Sequence, residues 1–398
     1  MIQRTLSKSL QAAAAHYPVV TVTGPRQSGK TTLVRAVFRG DDYVSLEDPE
    51  QRAFALDDPR GFLGQFKGRV VLDEAQRTPE LFSYIQVLVD EEDRPGRFIL
   101  TGSQNFLLLR TLSQTLAGRC AVLHLLPLSL DEQQGHSPRR VGDVGHTIPK
   151  SRGAPETSLA EVLVTGGYPR VHDQGLDPQE WLRNYLQTYL ERDVRDLLQV
   201  GDLEAFRRFV ALCAGRTGQL LNLSGLAADS GISHSTARRW LSVLETSFLV
   251  IRLPPHHRNF NKRLVKSPKL YFLDTGLLCY LLRVRSPDEL RVHPFRGPIF
   301  ESFVVSELYK RACHAGEEPD LFFWRDATGH EVDLLIVRGS QVVPAEIKAG
   351  ETVAADFFKG LDYWRHLAGE PEGTAALIYG GDRSYRRRGV AVYPWWAF

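Results

Sequence analysis

A glycine-rich segment near the N-terminus has the residue types needed to bind nucleotide phosphates. The segment GPRQSGKTT follows the apolar, β-branched run Val19–Thr23 and matches G-x-x-x-x-G-K-[ST] between a predicted strand and a predicted helix. Its glycines let backbone N–H groups approach the phosphates, and the following helix presents the positive end of its dipole. We expect Lys30 to neutralise the β- and γ-phosphate oxygens and Thr31 to ligate Mg²⁺. The residues predicted to contact the nucleotide are Gly24, Pro25, Arg26, Gln27, Ser28, Gly29, Lys30, Thr31 and Thr32.

Two acidic residues end another apolar run about forty residues after this loop. The run Val70–Leu72 leads into Asp73 and Glu74, which would lie at a strand tip facing the nucleotide. We expect Asp73 to hold Mg²⁺ through a water molecule and Glu74 to polarise the attacking water. An apolar strand that ends in acids is common by itself, so this interpretation depends on the pairing with the loop.

Two further residues are candidates for contacts with the γ-phosphate. Ser103 follows the apolar run Phe98–Thr101 and could touch the γ-phosphate or the attacking water, with Gln104 as second choice. The alternative is an ordinary turn. Arg119, in the segment LAGR, is a candidate arginine finger, supplied in cis or by a neighbouring subunit, that would stabilise charge in the transition state. The alternative is a surface arginine with no role.

A second set of acidic residues lies in the C-terminal part of the chain. Asp333 begins an apolar run, and alternation along the next run puts Glu346 and Lys348 on one face of a strand. An antiparallel hairpin would bring Asp333 beside Glu346, and the spacing D-x(12)-E-x-K matches the signature of PD-(D/E)xK nucleases. We expect Asp333 and Glu346, assisted by Glu301, to bind one or two Mg²⁺ ions, and Lys348 to orient or deprotonate the attacking water. The alternatives are a domain kept for DNA binding or for packing.

The elements that must position the first set alternate between strand and helix. An amphipathic helix is predicted over Ile2–His16, and strands are predicted at 19–23 and near 43–46, 69–72, 97–101 and 121–125. This alternation is typical of an α/β fold with a mostly parallel sheet covered on both faces. The elements that must position the second set are a predicted helix over 300–312 and predicted strands near 321–324, 332–337, 342–348, 375–379 and 390–393.

The region between the two sets is mainly helical. Residues 135–158 are rich in Gly, Pro and charge and predict a linker or a long surface loop. Two short amphipathic helices then meet at Gly231, Ser233 could cap the second, and a strand-like run follows, a pattern typical of a winged helix-turn-helix. Its cations could contact DNA; the alternatives are a lid or packing module and a solvated charged face. The predicted DNA-binding residues are Arg238, Arg239, Lys262, Arg263 and Lys266, and Lys269 belongs to the same set of cations.

Composition excludes several classes of protein. The chain has 398 residues, 43% hydrophobic and 24% charged, which argues against disorder and predicts two or three domains. A formal net charge of +2 means that any DNA-binding surface must be local. Its 4 cysteines show no C-x-x-C pair or zinc-ligand spacing, which fits a reducing cytoplasm. We find no secretion signal and no run of 18 apolar residues, so we expect a cytoplasmic protein without a membrane span.

The motif set as a whole resembles a bacterial and archaeal family of AAA-type P-loop ATPases that carry a DUF4143 region. The matching segments are the phosphate loop, DEAQ, TGSQNF, LAGR with HLLPLSLDE, GGYPR, YLERDVRDL and KLYFLDTGLL. The resemblance implies an N-terminal AAA+ domain, a helical and winged-helix middle domain, and a C-terminal restriction-endonuclease-like domain. We therefore predict domains at 1–134, 159–290 and 291–398, with 135–158 as the connection.

Together these features predict a Mg²⁺-dependent ATPase that binds and processes DNA. It would act as a helicase, a branch-remodelling enzyme or a metal-dependent nuclease on branched DNA in recombination or repair. ATP and Mg²⁺ are the predicted cofactors, DNA is the predicted partner, and an Arg119 that acts across subunits predicts a homo-oligomer. The alternative is a nucleotide-dependent switch or regulatory ATPase whose nuclease-like domain is catalytically inactive.

Overall fold

A parallel five-stranded sheet forms the N-terminal region of the computed structural model, which describes residues 2–92, 94–102, 115–148, 153–189, 202–256, 265–370 and 373–398. The strand order is β2-β3-β4-β1-β5, and each neighbouring pair is parallel. This sheet confirms the predicted α/β fold with a parallel sheet. The strands are β1 (Val19–Thr23), β2 (Asp42–Ser45), β3 (Val70–Asp73), β4 (Phe98–Gly102) and β5 (Cys120–His124).

Helices cover both faces of this sheet because its strands are apolar on both sides. Alternate residues of a strand point to opposite faces. Val20 and Val22 pack in one cluster with Leu6 and Leu10, whereas Val19 packs in the other. The helices are α1 (Leu6–His16), α2 (Lys30–Val37), α3 (Pro49–Asp57), α4 (Pro59–Gly64), α5 (Leu81–Glu92) and α6 (Leu130–Gln133), with a 3-10 turn at Ala75–Arg77.

Short helices and a two-stranded antiparallel sheet form the middle region. Ser233 caps the second helix of the predicted helix-turn-helix by accepting from the Thr236 N–H at 3.1 Å, as predicted. Trp240 and Leu244 on that helix are buried. The elements are α7 (Leu159–Thr165), α8 (Pro169–Gln174), α9 (Pro178–Tyr189), α10 (Leu203–Ala214), α11 (Leu223–Ser230), α12 (His234–Thr246), β6 (Val250–Leu253), β7 (Lys269–Phe272), α13 (Thr275–Leu281) and α14 (Pro287–Val292).

A six-stranded mixed sheet forms the C-terminal region, in the order β12-β13-β11-β10-β9-β8. Strand β9 pairs antiparallel with both β8 and β10, and β10, β11 and β13 run parallel. A long helix precedes the sheet, and a shorter one connects β10 to β11. The elements are α15 (Arg296–Ala315), β8 (Leu321–Arg325), β9 (Glu331–Arg338), β10 (Gln341–Lys348), a 3-10 turn (Ala355–Phe358), α16 (Lys359–Ala368), β11 (Ala376–Tyr379), β12 (Tyr385–Arg387) and β13 (Val390–Pro394).

The segment predicted as a linker or surface loop packs against the C-terminal region. Within its described residues, 135–148 and 153–158, regular structure is limited to a 3-10 turn at Val141–Asp143 and the cap of α7. Gly145 N–H donates to the Tyr393 hydroxyl at 2.9 Å, and Arg139 Nη1 donates to the Trp396 carbonyl at 2.7 Å. This part of the segment is therefore a surface strap rather than a free linker.

None of the helices that the structure describes combines the length and apolarity of a membrane span.

Candidate functional site

The glycine-rich loop lies at the carboxyl end of β1, where its backbone turns tightly into α2. A Cβ added to Gly24 would lie 2.0 Å from the Leu125 carbonyl oxygen, so this position requires glycine. Gly29 has φ +91° and caps α2, a left-handed conformation that favours glycine. The loop therefore brings its backbone to the amino end of α2, as the sequence predicted.

Lys30 and Thr31, the first two residues of α2, face different partners. Lys30 is buried, and its ammonium donates to the carbonyl oxygens of Gly24 (3.0 Å) and Pro25 (2.8 Å). Thr31 donates its hydroxyl to Asp73 Oδ2 at 2.8 Å. The predicted pair Thr31 and Asp73 is thus in direct contact, although 42 positions separate the two residues.

Hydroxyl groups hold the Asp73 carboxylate at the end of β3. Besides Thr31, Tyr43 donates to Oδ2 at 2.7 Å and Thr101 donates to Oδ1. Burial, and then the neighbouring Asp73, raise the pKa of Tyr43 above its ordinary range, so Tyr43 stays a donor. All three donors are neutral, and the negative charge of Asp73 is therefore not cancelled by them.

Glu74 leaves the sheet in a left-handed conformation with φ +55°. Its N–H donates to the Thr101 hydroxyl at 3.4 Å, and Gln76 Nε2 donates to its carboxylate at 2.5 Å. Non-glycine residues rarely adopt this conformation, and strain of this kind clusters at functional sites. Glu74 lines the same cavity as the loop.

A cavity of about 910 Å³ surrounds the loop, and the middle region forms part of its wall. Residues from α1, α8 and α9 line it in addition to the predicted loop residues. Sequence analysis gave these residues no role, although Pro169 and Arg170 belong to the GGYPR motif and the motif was available as a signal. The lining residues beyond the loop and Glu74 include Ile2, Gln3, Arg4, Ser7, Gln11, Pro169, Arg170, Asp173, Gln174, Tyr185 and Thr188.

Arg4 joins the loop to the C-terminal region, a connection that the sequence did not reveal. Its buried guanidinium donates to the Ser28 carbonyl at 2.6 Å and to Glu132 Oε1 at 3.2 Å. His314, near the end of α15, lies 3.2 Å from Glu132 Oε2. Burial alone would raise the pKa of Glu132, but the charges of His314 and Arg4 outweigh it and hold that pKa well below its usual range.

The structure corrects one of the two hypotheses for Arg119. The Arg119 carbonyl accepts from Val19 N–H, so this arginine is level with the start of β1, whereas the phosphate loop follows its end. The strand spans roughly 13 Å at about 3.3 Å per residue. Arg119 also pairs with Asp90, with Nη2 3.0 Å from Oδ2. A role as an arginine finger in cis is therefore wrong, whereas a role toward a neighbouring subunit and a surface arginine with no role both remain open.

The predicted DNA-binding cations fall into three groups. Arg238 and Arg239 lie exposed on α12, and Lys266 is exposed before β7. Lys262 and Arg263, like Ser103 and Gln104 at the first site, lie outside the described residues. Lys269 is only 3% exposed and pairs with acidic side chains, so its interpretation as a solvent-facing cation is wrong. The consecutive residues Leu270, Tyr271 and Phe272 make β7 a strand that is buried on both faces, which explains the correction.

The C-terminal hairpin brings Asp333, Glu346 and Lys348 together, as predicted. The antiparallel register pairs Leu334 with Ala345, and the next pair along places Asp333 opposite Glu346. Lys348 Nζ lies 2.8 Å from Asp333 Oδ2 and 2.5 Å from Glu346 Oε2. Ile347 N–H donates to the same Asp333 oxygen at 2.9 Å.

Glu301, the third predicted acid, is held by side chains that the sequence did not associate with it. Lys269 Nζ lies 3.1 Å from Glu301 Oε1 and 2.5 Å from Glu331 Oε1. The Tyr271 hydroxyl donates to Glu301 Oε1 at 2.5 Å. We refer to Glu301, Glu331, Asp333 and Glu346, with Lys269 and Lys348, as the C-terminal cluster.

Burial and mutual repulsion set the charges in this cluster. Burial, and then Asp333, raise the pKa of Glu346 well above its usual range. Burial also acts to raise the pKa of Asp333, but Lys348 and Lys269 outweigh it and lower that pKa to about 2. Within the described residues, no three His, Cys, Asp or Glu side chains are arranged to hold a metal ion. The metal role of Glu301, Asp333 and Glu346 stays a prediction, and their present arrangement does not fit a metal ion.

Three family models match the chain along its length. One described as an AAA domain matches residues 16–134, a domain of unknown function (DUF8612) matches 156–288, and a second (DUF4143) matches 296–398.

Curated relatives match most of the chain. The uncharacterized protein Rv2008c of Mycobacterium tuberculosis is 34% identical over 355 residues, covering 88% of this chain and 74% of the relative. The uncharacterized protein MJ1544 of Methanocaldococcus jannaschii is 21% identical over 351 residues, covering 84% and 75%. Among solved structures, the Walker-type ATPase PABY2304 of Pyrococcus abyssi is 16% identical with a TM-score of 0.46, covering 70% of this chain and 94% of the other.

Proposed function

The chain belongs to the same family of P-loop ATPases as its mycobacterial relative, and we propose that it couples Mg²⁺-dependent ATP hydrolysis to DNA binding and processing. It carries an AAA domain and a DUF4143 domain. The observation that carries the ATPase part is the contact between Thr31 and Asp73 beside the phosphate loop. A hydroxyl and an uncancelled carboxylate are the ligands that Mg²⁺ prefers.

These residues fit a magnesium ion bound together with ATP. Thr31 would hold it directly and Asp73 through water, and the ion would neutralise charge that develops on the phosphates. Lys30 would exchange its two carbonyl acceptors for phosphate oxygens, because it already lies inside the loop. Glu74 would orient the attacking water, with Gln76 fixing its carboxylate.

The middle region would close over the bound nucleotide. Arg170 is exposed at the wall of the cavity, and its Nε donates to Gln174 at 3.1 Å. Its charge is suited to the phosphates. Arg119, partly exposed at the end of the strands opposite the phosphate loop, would reach the nucleotide of a neighbouring subunit in a homo-oligomer.

The DNA-binding part of the proposal is supported by α12. Its apolar side is buried and leaves Arg238 and Arg239 exposed on the second helix of a helix-turn-helix. Lys266 adds a cation after β6. The C-terminal domain would then clamp or cut the bound DNA, branched DNA being the substrate in our proposal. For cutting, Asp333, Glu346 and Lys348, which the hairpin brings together, would supply the acids and the lysine of a PD-(D/E)xK site.

A second candidate function is a nucleotide-dependent switch with an inactive nuclease-like domain. Lys269 favours it, because this lysine neutralises acids that a nuclease would need free. In that case ATP sets a conformation or an assembly, and no DNA is cut.

One experiment separates the two candidates. The full chain is incubated with linear, single-stranded and four-way DNA, with ATP and Mg²⁺, and hydrolysis, unwinding and cleavage are measured. DNA-stimulated ATP hydrolysis that EDTA abolishes supports the first candidate, and cleavage lost in Asp333→Asn but kept in the exposed control Asp57→Asn supports its nuclease form. ATP hydrolysis that no DNA alters, without cleavage or unwinding, supports the switch.

A further inference from the structure

Each of the four carboxylates of the C-terminal cluster accepts from an ammonium group. Lys348 bridges Asp333 and Glu346, and Lys269 bridges Glu301 and Glu331. The side chain of Lys348 is 32% exposed and faces solvent, as a residue that acts on a substrate would. The side chain of Lys269 is 3% exposed and faces only protein. The two lysines therefore differ in what they can do.

Lys269 comes from the middle region and is held rigidly. It begins β7, pairs with Leu253 of β6 and forms a bridge with Leu220 on its other side. Its ammonium lies 5.5 Å from the centre of the Phe323 ring. Tyr271, two residues along the same strand, donates to Glu301. The strand thus places two side chains on the first acid of the cluster.

An ammonium at this position competes directly with a divalent cation. Mg²⁺ binds carboxylate oxygens at about 2.1 Å, so an ion shared by Glu301 and Glu331 would occupy the space that Lys269 Nζ fills. Two positive groups cannot share that space, because their repulsion in a buried environment is strong. This explains why an acidic cluster offers no ready metal site in the described residues.

We propose that Lys269 is an internal cation that keeps divalent metal ions out of the C-terminal cluster, so that a metal ion enters only when the Lys269 ammonium leaves Glu301 and Glu331. This inference rests on the proposed function only for the chemistry that would follow metal binding. In the present conformation the C-terminal cluster is then closed to metal ions. The residue that closes it, Lys269, belongs to the middle region.

A hydrogen bond connects the segment after β7 to the segment that lines the nucleotide cavity. Asp274 follows β7 by two residues and accepts from the Gly167 N–H at 2.7 Å. Gly167 precedes Pro169 and Arg170, which line the cavity around the phosphate loop. This hydrogen bond connects the segment that follows the strand of Lys269 to the segment that lines the nucleotide cavity.

The test measures Mn²⁺ binding to the nucleotide-free full chain by electron paramagnetic resonance. Lys269→Met leaves Glu301 without its cation and Glu331 with Arg325 alone, and it could impair folding, so the main variant is Lys269→Met with Glu331→Gln. This variant has three carboxylates beside Lys348 and Arg325, where the wild type has four beside Lys269, Lys348 and Arg325. Lys266→Met, an exposed lysine three residues earlier, is the control.

We expect the double variant to bind Mn²⁺ at least about tenfold more tightly than the wild type, and Lys266→Met to match the wild type. Adding Asp333→Asn to the double variant should remove the gain, which assigns it to the cluster. Equal Mn²⁺ affinity in the wild type and the folded double variant would overturn the proposal. A gain in Mn²⁺ affinity without cleavage of any DNA would support it and refute only the nuclease part of the proposed function.

Discussion

Asp73 and the C-terminal cluster are both acidic sites at strand ends, but their partners differ in charge. Three neutral hydroxyl groups donate to Asp73. Two ammonium groups and the Arg325 guanidinium hold the acids of the cluster, and Tyr271 adds a hydroxyl at Glu301. Hydroxyl groups orient a carboxylate without neutralising it, so its negative charge can still bind a cation. An ammonium group neutralises the carboxylate and also occupies the position at which a metal ion would bind. Acidic residues alone therefore do not define a metal site.

The lysines of the two sites show the same contrast. Lys30 donates to two carbonyl oxygens, neutral acceptors that it can exchange for phosphate. Lys269 donates to two carboxylates and is required to balance their charge. We therefore expect Lys30 to matter for activity and Lys269 to matter first for stability.

The largest effect is expected from Lys269→Met. Removing one partner from a buried ion-pair set leaves uncompensated charge and costs about 3–5 kcal/mol. Urea unfolding should show this loss, and Glu331→Gln in the same chain should recover part of it. The exposed Lys266→Met should change stability by less than about 0.5 kcal/mol. A Lys269→Met variant as stable as the wild type would contradict the assigned ion pairs.

The next largest effect is expected from Lys30→Ala, on ATP hydrolysis. Loss of one preorganised positive donor at a reacting phosphate costs about 10²–10³-fold in rate. The free energy of unfolding should change less than in Lys269→Met, because Lys269 bridges two carboxylates whereas Lys30 donates to the carbonyl oxygens of Gly24 and Pro25. Steady-state phosphate release measures the first quantity and urea unfolding the second. Lys8→Ala, at an exposed position on α1, is the matched control and should leave both unchanged.

Patterns within single strands and turns predicted much of the fold and several residues of both the nucleotide site and the C-terminal cluster. The loop at Gly24, the strand ending in Asp73 and the pair Glu346 and Lys348 depend on spacing within one strand or turn, which the sequence shows directly. The Ser233 cap belongs to the same class. Asp333 required one further step, a hairpin, and the structure has it.

The residues that sequence analysis missed act between regions. Lys269 reaches Glu301 because β7 packs against α15, and no local pattern states which helix a strand will face. Arg4 contacts residues 128 and 310 positions away in the chain. The cis hypothesis for Arg119 failed for a similar reason, since it depends on which end of a strand the residue joins. Arrangement of distant segments, rather than residue type, was the missing information.

A moderate, pH-dependent effect is expected from Glu132→Gln, at the contact between Arg4 and His314 of α15. Because the folded pKa of Glu132 is lowered, its carboxylate contributes stability above its unfolded pKa of 4.5, and this contribution is lost as the pH falls toward the folded pKa. The slope for one group is at most about 1.4 kcal/mol per pH unit.

Urea unfolding between pH 7 and pH 3.5 measures this effect. The variant should be less stable than the wild type at pH 7, and the difference should shrink below about pH 4.5. The exposed Glu91→Gln should follow the wild type at every pH. A difference that stays constant across the range would show that Glu132 does not carry its charge in the folded chain.

The smallest effects are expected on DNA affinity, from variants on the exposed face of α12. Arg238→Ala and Arg239→Ala should each weaken binding to all DNA sequences by a similar factor and reduce the slope of log K against log salt by about 1. Fluorescence anisotropy at several salt concentrations measures this slope, and Arg60→Ala, exposed on α4, is the control. Because Arg238 and Arg239 do not line the nucleotide cavity, ATP hydrolysis without DNA should not change. An unchanged salt slope in both variants would remove α12 from the DNA-binding surface and favour the switch, in which the C-terminal cluster stays closed.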